Sequence, residues 1–262
     1  MLLCAECGRS VLGGTCVGEL LQIAGVNKSF GAVKVADNVD LAVGQTDALG
    51  IIGPNGAGKS TLFGLVSGSL RPDAGTILYD GQDITGLDAA GRCRLGIARS
   101  FQVPHPFVGM SVFENLLVGA IFGGGESERD AMRRCGEILD RTGLASKANL
   151  PAGSLRLLDR KRLEMARALA TRPRLLLLDE IAGGLTEEEC HQLVATVREV
   201  HASGVAIVWI EHVVHALLAV VDRLVVLNYG RKVAEGEPRE VMASDMVQQI
   251  YMGMDDHADA AA

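Results

Sequence analysis

Aromatic residues make up only 4% of this 262-residue chain, with a single tryptophan, too few to build a platform on which nucleic-acid bases could stack. Basic residues are outnumbered: 25 Lys and Arg against 32 Asp and Glu give a formal net charge of −7. Such a surface repels a phosphate backbone, so no nucleic-acid partner is expected. No uninterrupted apolar run reaches the roughly 18 residues needed to cross a bilayer; the best candidates, Gly204–Ile210 and Ala216–Val221, read as buried core. The N-terminus has no basic segment followed by a long apolar stretch, which makes it a poor secretory signal. Cysteine is thin. The six stand at 4, 7, 16, 93, 135 and 190, too dispersed for a disulfide scaffold and in keeping with a reducing compartment. Internal repeats and heptad runs are absent.

What remains is ordinary globular material, 48% hydrophobic and 22% charged. At about 150 residues per domain the length suits one or two domains and a sizeable core. Residues 1–18 differ from the rest. Cys4-x-x-Cys7 and Cys16 resemble a zinc half-site, but no fourth Cys or His lies near, and the segment reads as a loose extension. The small, polar stretch 254–262 reads as a flexible tail.

Between them, β-like runs at Leu20–Val26, Val33–Leu41, Ala48–Ile52 and Thr76–Tyr79 enclose a helix over Lys59–Ser69. Helical patterns follow at Ser111–Ala120, Glu126–Thr142 and Asp159–Thr171, with Gly123-Gly124-Gly125 as a break. Apolar runs at Arg174–Leu178, Val205–Ile210 and Leu224–Leu227, with a long helix over Glu187–Ser203, complete the pattern. Strands alternating with helices imply an α/β fold, a mostly parallel sheet covered on both faces. The expected division is a core over 19–102 and 172–240 interrupted by a helical subdomain over 103–171.

Gly53-Pro54-Asn55-Gly56-Ala57-Gly58-Lys59-Ser60 matches G-x-x-x-x-G-K-[ST] at every position, with an apolar strand before it and a helix after. The glycines let the backbone wrap a phosphate with its N–H groups turned inward. The helix beginning near Lys59 adds the positive end of its dipole. Lys59 is expected on the β- and γ-phosphates, the Ser60 hydroxyl on Mg²⁺, and Thr61 on a further phosphate oxygen. Leu175–Leu178 is an apolar strand that ends in Asp179 and Glu180. Ligands of parallel sheets lie at the C-terminal strand ends, so Asp179 is expected to face Mg²⁺ and Glu180 to polarise an attacking water.

In order and spacing these motifs resemble the ATP-binding subunits of ABC transporters over about residues 19–253. The fold implied is that of a P-loop NTPase: a RecA-like core with an antiparallel β edge and a helical subdomain. By that resemblance Gly53–Thr61 is the Walker A motif and Leu175–Glu180 is Walker B with its catalytic glutamate. Gln102 in Arg99-Ser100-Phe101-Gln102 is the Q-loop glutamine, sensing the γ-phosphate and ligating Mg²⁺. His212 in Ile210-Glu211-His212 is the switch histidine, Phe30 is the aromatic that stacks on adenine, and Ala182–Thr186 is the D-loop. The stretches Gly96–Gln102, Met110–Leu117, Arg162–Leu169 and Val247–Gly253 are similar to the branched-chain amino acid importer subgroup. The resemblance implies ATP hydrolysis on Mg²⁺-ATP at the cytoplasmic face of the inner membrane. It also implies permease subunits docked near Val103–Val112, a second ATP-binding subunit and, indirectly, a solute-binding protein. The alternatives are an exporter ATPase of the lipid or lipopolysaccharide type, a soluble ABC ATPase, or a P-loop kinase in which Gln102, Glu180 and His212 would have no role.

The pattern departs in one important place. The signature L-S-G-G-Q should start at Leu155, where the chain reads Leu155-Arg156-Leu157-Leu158-Asp159. A rival register, Leu150-Pro151-Ala152-Gly153-Ser154, lies five residues early. Smaller departures are Ile181 in place of a proline, Thr186 in place of an aspartate, and Thr46-Asp47 as a short insert. The expectation is a pair of unequal ATP sites, with the half-site this chain lends to its partner weakened.

Overall fold

Along Leu175–Asp179 the apolar side chains divide by parity. Leu176 and Leu178 join one buried cluster, while Leu175 and Leu177 join another. The same division holds for Ile207 and Trp209 against Ala206, Val208 and Ile210. Strands point successive side chains to opposite faces, so an unbroken apolar run marks a strand covered on both sides.

The structure is a computed structural model that describes residues 18–250 together with the backbone of Leu2–Leu3 and Ser10–Val11, which pair antiparallel. Cys4, Cys7, Cys16 and the tail 254–262 lie outside the described residues. In chain order the main elements are β1 (Glu19–Phe30), β2 (Val33–Gly44), β3 (Ala48–Ile52), α1 (Lys59–Ser67), β4 (Ala74–Tyr79), β5 (Gln82–Asp83), α2 (Ala89–Arg94) and β6 (Ile97–Arg99). There follow α3 (Val112–Val118), α4 (Glu128–Arg141), α5 (Leu157–Ala170), β7 (Leu175–Asp179), α6 (Glu187–Ala202), β8 (Ala206–Ile210), α7 (Val214–Leu218), β9 (Arg223–Asn228), β10 (Arg231–Gly236) and α8 (Pro238–Ala243).

The central sheet runs β10-β9-β3-β8-β7-β6, parallel except for β10. A second, antiparallel sheet runs β2-β1-β4-β5. The α/β architecture with an antiparallel edge is the one expected. Three of the numbered strands were not anticipated, among them the two-residue β5. β6 has three residues, and β10 is a largely exposed edge strand of polar composition.

Several boundaries shift for local reasons. The helix expected over Lys59–Ser69 ends at Ser67, because Gly68 takes a left-handed conformation at φ 80. Ser111 and Ser127 stand just outside α3 and α4 as N-caps, each accepting from the amide three residues on. After α3 the chain makes a wider helical turn over Gly119–Gly123 before the glycine break. The helix expected from Asp159 begins at Leu157.

Arg92 is fully buried and knits the antiparallel edge to α1. Its guanidinium donates to the carbonyls of Leu65, Val66, Thr85 and Leu87. Two of these lie in the last turn of α1, where carbonyls have no partner within the helix.

Candidate functional site

The loop 53–58 leaves β3 and enters α1 with two close approaches that exclude a side chain. A Cβ on Gly53 (φ 152) would stand 2.1 Å from the Leu227 carbonyl oxygen. One on Gly58 (φ 98) would stand 2.2 Å from that of Val35. The loop therefore lies flat between the hairpin β1–β2 and the turn after β9. Gly58, at the N-cap of α1, offers no side chain to the helix amides, so the first turn faces outward as an anion-binding end. A cavity of about 200 Å³ opens there, lined by Val35, Asn55, Gly56, Ala57, Gly58, Lys59, Ser60, Thr61 and Glu180.

Lys59 is 6% exposed. Its Nζ donates to the carbonyl oxygens of Gly53 at 2.7 Å and Pro54 at 3.0 Å. Burial pushes its ammonium below the ordinary lysine value, against the pull of Glu180 and Asp179.

On the far side stand the two carboxylates that close β7. Parity puts Asp179 on the same sheet face as α1. Its Oδ2 pairs with Arg99 Nη2 at 2.7 Å, and the Arg99 guanidinium lies over the Phe63 ring of α1. Asp179 Oδ1 is buried and accepts no hydrogen bond. The next residue, Glu180, takes φ 46, a conformation that costs a side-chain-bearing residue about 1–3 kcal/mol. Its side chain is gripped from both sides. Gln102 Nε2 donates to Oε2 at 2.6 Å, and His212 Nε2 lies 3.0 Å from Oε1. Residues 78 and 32 positions away in sequence thus converge on one carboxylate.

Three residues that sequence reasoning did not single out belong to this surrounding. Arg99 sat in a stretch valued only for its subgroup likeness. Lys161, on α5 and 5% exposed, donates from Nζ to the Glu180 carbonyl oxygen at 3.3 Å. Glu211, 2% exposed, accepts the amides of Ala182 at 2.6 Å, His212 at 3.1 Å and Val213 at 3.3 Å. Burial pushes the Glu211 carboxyl up from its ordinary value, opposed by those amides and by Lys161. No local pattern marks either residue as paired.

The other expected positions fall around this centre. Phe30 ends β1 at the tip of the β1–β2 hairpin, 50% exposed, with Lys28 Nζ 5.6 Å from its ring centroid. Ile181 is buried in the apolar cluster, a packing role that a proline is not needed to fill. Thr186 caps α6 through a reciprocal box with Glu189. Thr46 and Asp47 form the β2–β3 turn, where Asp47 Oδ2 accepts from the Gly44 amide at 2.8 Å. Arg156 occupies the N-cap of α5 without making a side-chain cap, and Leu157 is 45% exposed with its Cδ2 close over Gly184. The stretch Leu150–Ser154 instead forms an isolated bridge at Pro151 and a short 3₁₀ turn over Ala152–Ser154.

Comparison with known proteins agrees with this geometry. The family model for the ABC transporter matches residues 36–183. The chain is 34% identical over 249 residues to the high-affinity branched-chain amino acid transport ATP-binding protein BraF of Pseudomonas aeruginosa, covering 89% of this chain and 98% of that protein. It is 35% identical over 251 residues to LivG of Escherichia coli, with the same shares covered. A solved nucleotide-free ATP-binding cassette from an ABC transporter superposes with a TM-score of 0.83 at 33% identity, over 89% of this chain and 99% of that one. A cassette solved in its ADP conformation gives 0.83 at 34% identity, over 90% and 99%. With the Walker-type loop, the acidic strand end and these likenesses in agreement, the chain belongs to the ABC transporter family, as one of its ATP-binding cassettes.

Proposed function

We propose that this chain is the ATP-hydrolysing subunit of an importer for branched-chain or other amino acids. The observation that carries the reading is the convergence of Gln102 and His212 on Glu180, across a cavity from Lys59 and the amides of α1. In this reading the phosphates of ATP lie in the loop Gly53, Pro54, Asn55, Gly56, Ala57, Gly58, with Lys59, Ser60 and Thr61 at the helix start, and adenine stacks on Phe30. Glu180 orients the attacking water. His212 holds the γ-phosphate and Gln102 senses it.

Ser60, Gln102 and Asp179 would hold Mg²⁺. Asp179 Oδ2 is taken by Arg99, and the buried Oδ1, which has no hydrogen-bond partner, fits an oxygen left free for a cation. Among the described residues no group of three or more His, Cys, Asp or Glu is gathered for a metal, which suits an ion sharing its shell with phosphate oxygens. When bound, Mg²⁺ would neutralise charge on the β- and γ-phosphates.

Among the described residues no helix is long and apolar enough to cross a membrane. The proposed place of work is therefore peripheral, against permease subunits at the cytoplasmic face of the inner membrane, with a solute-binding protein engaged beyond them. Phe101 and Phe107 line a cavity of about 280 Å³, and Val103 and Val108 are exposed in the same stretch of chain, an apolar surface that fits a permease segment. The names of the relatives, branched-chain amino acid transport ATP-binding proteins, favour an amino acid over a lipid or lipopolysaccharide as the solute. A second ATP-binding subunit, a copy of this chain or a different one, completes the machine; with a different partner whose signature is regular, the bulky Arg156-Leu157 start of α5 makes the two ATP sites unequal. The test is purification from membranes in detergent, identifying the associated proteins and their solute. Recovery of a permease pair and an amino-acid-binding protein is expected, and a chain that comes out alone or with an exporter's lipid-handling partners contradicts the reading.

A further inference from the structure

The ladder between β7 and β8 ends at the pair Asp179–Ile210. Glu180 and His212 lie just past that end, on two separate turns, yet their side chains meet at 3.0 Å. Something must fix the turns against each other, and Glu180 must also be held in its left-handed conformation.

Three contacts do this. The Glu180 amide donates to the Ile210 carbonyl at 2.8 Å. Its carbonyl accepts from Lys161. The third is Glu211: one oxygen accepts from Ala182, two residues beyond Glu180, and the other accepts from His212 and Val213. A single buried carboxylate thus spans both turns. A buried charge is costly unless fully hydrogen-bonded, and an apolar side chain would serve packing alone. The three amides and the nearby Lys161 are what make a charge tolerable there.

We propose that Glu211 is a positioning residue for ATP hydrolysis, its carboxylate locking the turn that carries Glu180 to the turn that carries His212. The proposal rests on the catalytic reading of that pair. It predicts that loosening Glu211 harms the chemical step and spares ATP binding, since Lys59 and the loop 53–58 are held by other contacts.

Glu211→Gln keeps size but offers one acceptor oxygen, so one of the two turns loses its tether. In the assembled transporter, kcat for ATP is expected to fall about tenfold or more, with KM within about twofold, as small misplacements of reacting groups are steeply penalised. In a chain already carrying His212→Ala, the same change should cost less than about threefold, because coupled residues are non-additive. Glu211→Asp keeps the charge but shortens the reach, and the same pattern is expected of it in a milder form. Each variant is scored per ATP-binding site, so unfolded material does not count. An unchanged kcat, or an equal loss with and without His212, overturns the proposal. If the reference variant Glu180→Gln itself retains full turnover, it is the catalytic reading of the pair that fails, and the two failures are told apart.

Discussion

His212 Nε2 stands 3.0 Å from Glu180 Oε1, although the two residues lie on different turns at the ends of adjacent strands. The contact puts a proton-handling ring beside the carboxylate proposed to orient water. Lys59 sits across the cavity, tied to the loop rather than to this pair.

Binding and turnover should therefore separate. Glu180→Gln is expected to lower ATP turnover by about 10²–10⁴-fold, the range for losing a general base, while nucleotide affinity stays near its original value. Lys59→Ala should instead weaken affinity by about 1.5–3 kcal/mol, as for a lost hydrogen bond to a charged group. Titration with a fluorescent ATP analogue, beside a phosphate-release assay, checks both. Full turnover in either variant would remove that residue from the site.

Unequal pairing has its own signature. If Arg156 and Leu157 weaken the half-site lent to a different partner subunit, Glu180→Gln here and the matching change in that partner should give different losses in the assembled pair. ATPase turnover of the two singly changed complexes measures this. Equal losses count against asymmetry.

Alkaline pH should expose Tyr79. Burial pushes its phenol from the ordinary 10.0 up to about 12. The folded protein holds this proton more tightly than the unfolded chain, so the stabilisation is complete below pH 10 and declines as pH climbs from 10 to 12. Urea denaturation across that window should show stability falling with pH, with a shallower fall in Tyr79→Phe. An identical slope in the variant would contradict the burial argument.

Arg92→Ala should be among the most damaging single changes away from the site. It strips four carbonyls of their donor and empties a fully buried volume. The expected loss is about 3–5 kcal/mol, from the cavity left by a large buried side chain and from carbonyls left without a donor. Equilibrium denaturation checks it, and a change below about 1 kcal/mol would be incompatible with the network.

Much of the framework was legible because its signals are local. The eight residues from Gly53 to Ser60 and the run Leu175–Leu178 announce a phosphate loop and a doubly covered strand by pattern alone. β6 escaped because its three residues, Ile97-Ala98-Arg99, are too short a run to signal a strand, and Arg99 reads as a chain exit until Asp179 neutralises its guanidinium from 80 positions away. β10 escaped because its two apolar residues, Val233 and Ala234, are adjacent rather than alternating, in an otherwise polar edge strand. Lys161 and Glu211 escaped for the same reason as Arg99. Each reads as a solvated charge, and only the packing of α5 against the ends of β7 and β8 reveals where it goes.

The apolar cluster on one face of the sheet continues without a seam into the helical insert: Leu178 and Trp209 share it with Leu116, Ile138 and Met165. An insert rooted this way is no pendulum on a slack tether. Close-packed interiors yield little, so if a membrane partner docks on the insert as proposed, a push on Leu116 or Met165 would reach Leu178, next door to Asp179, as a tilt of one stiff lever rather than the swing of a loose one.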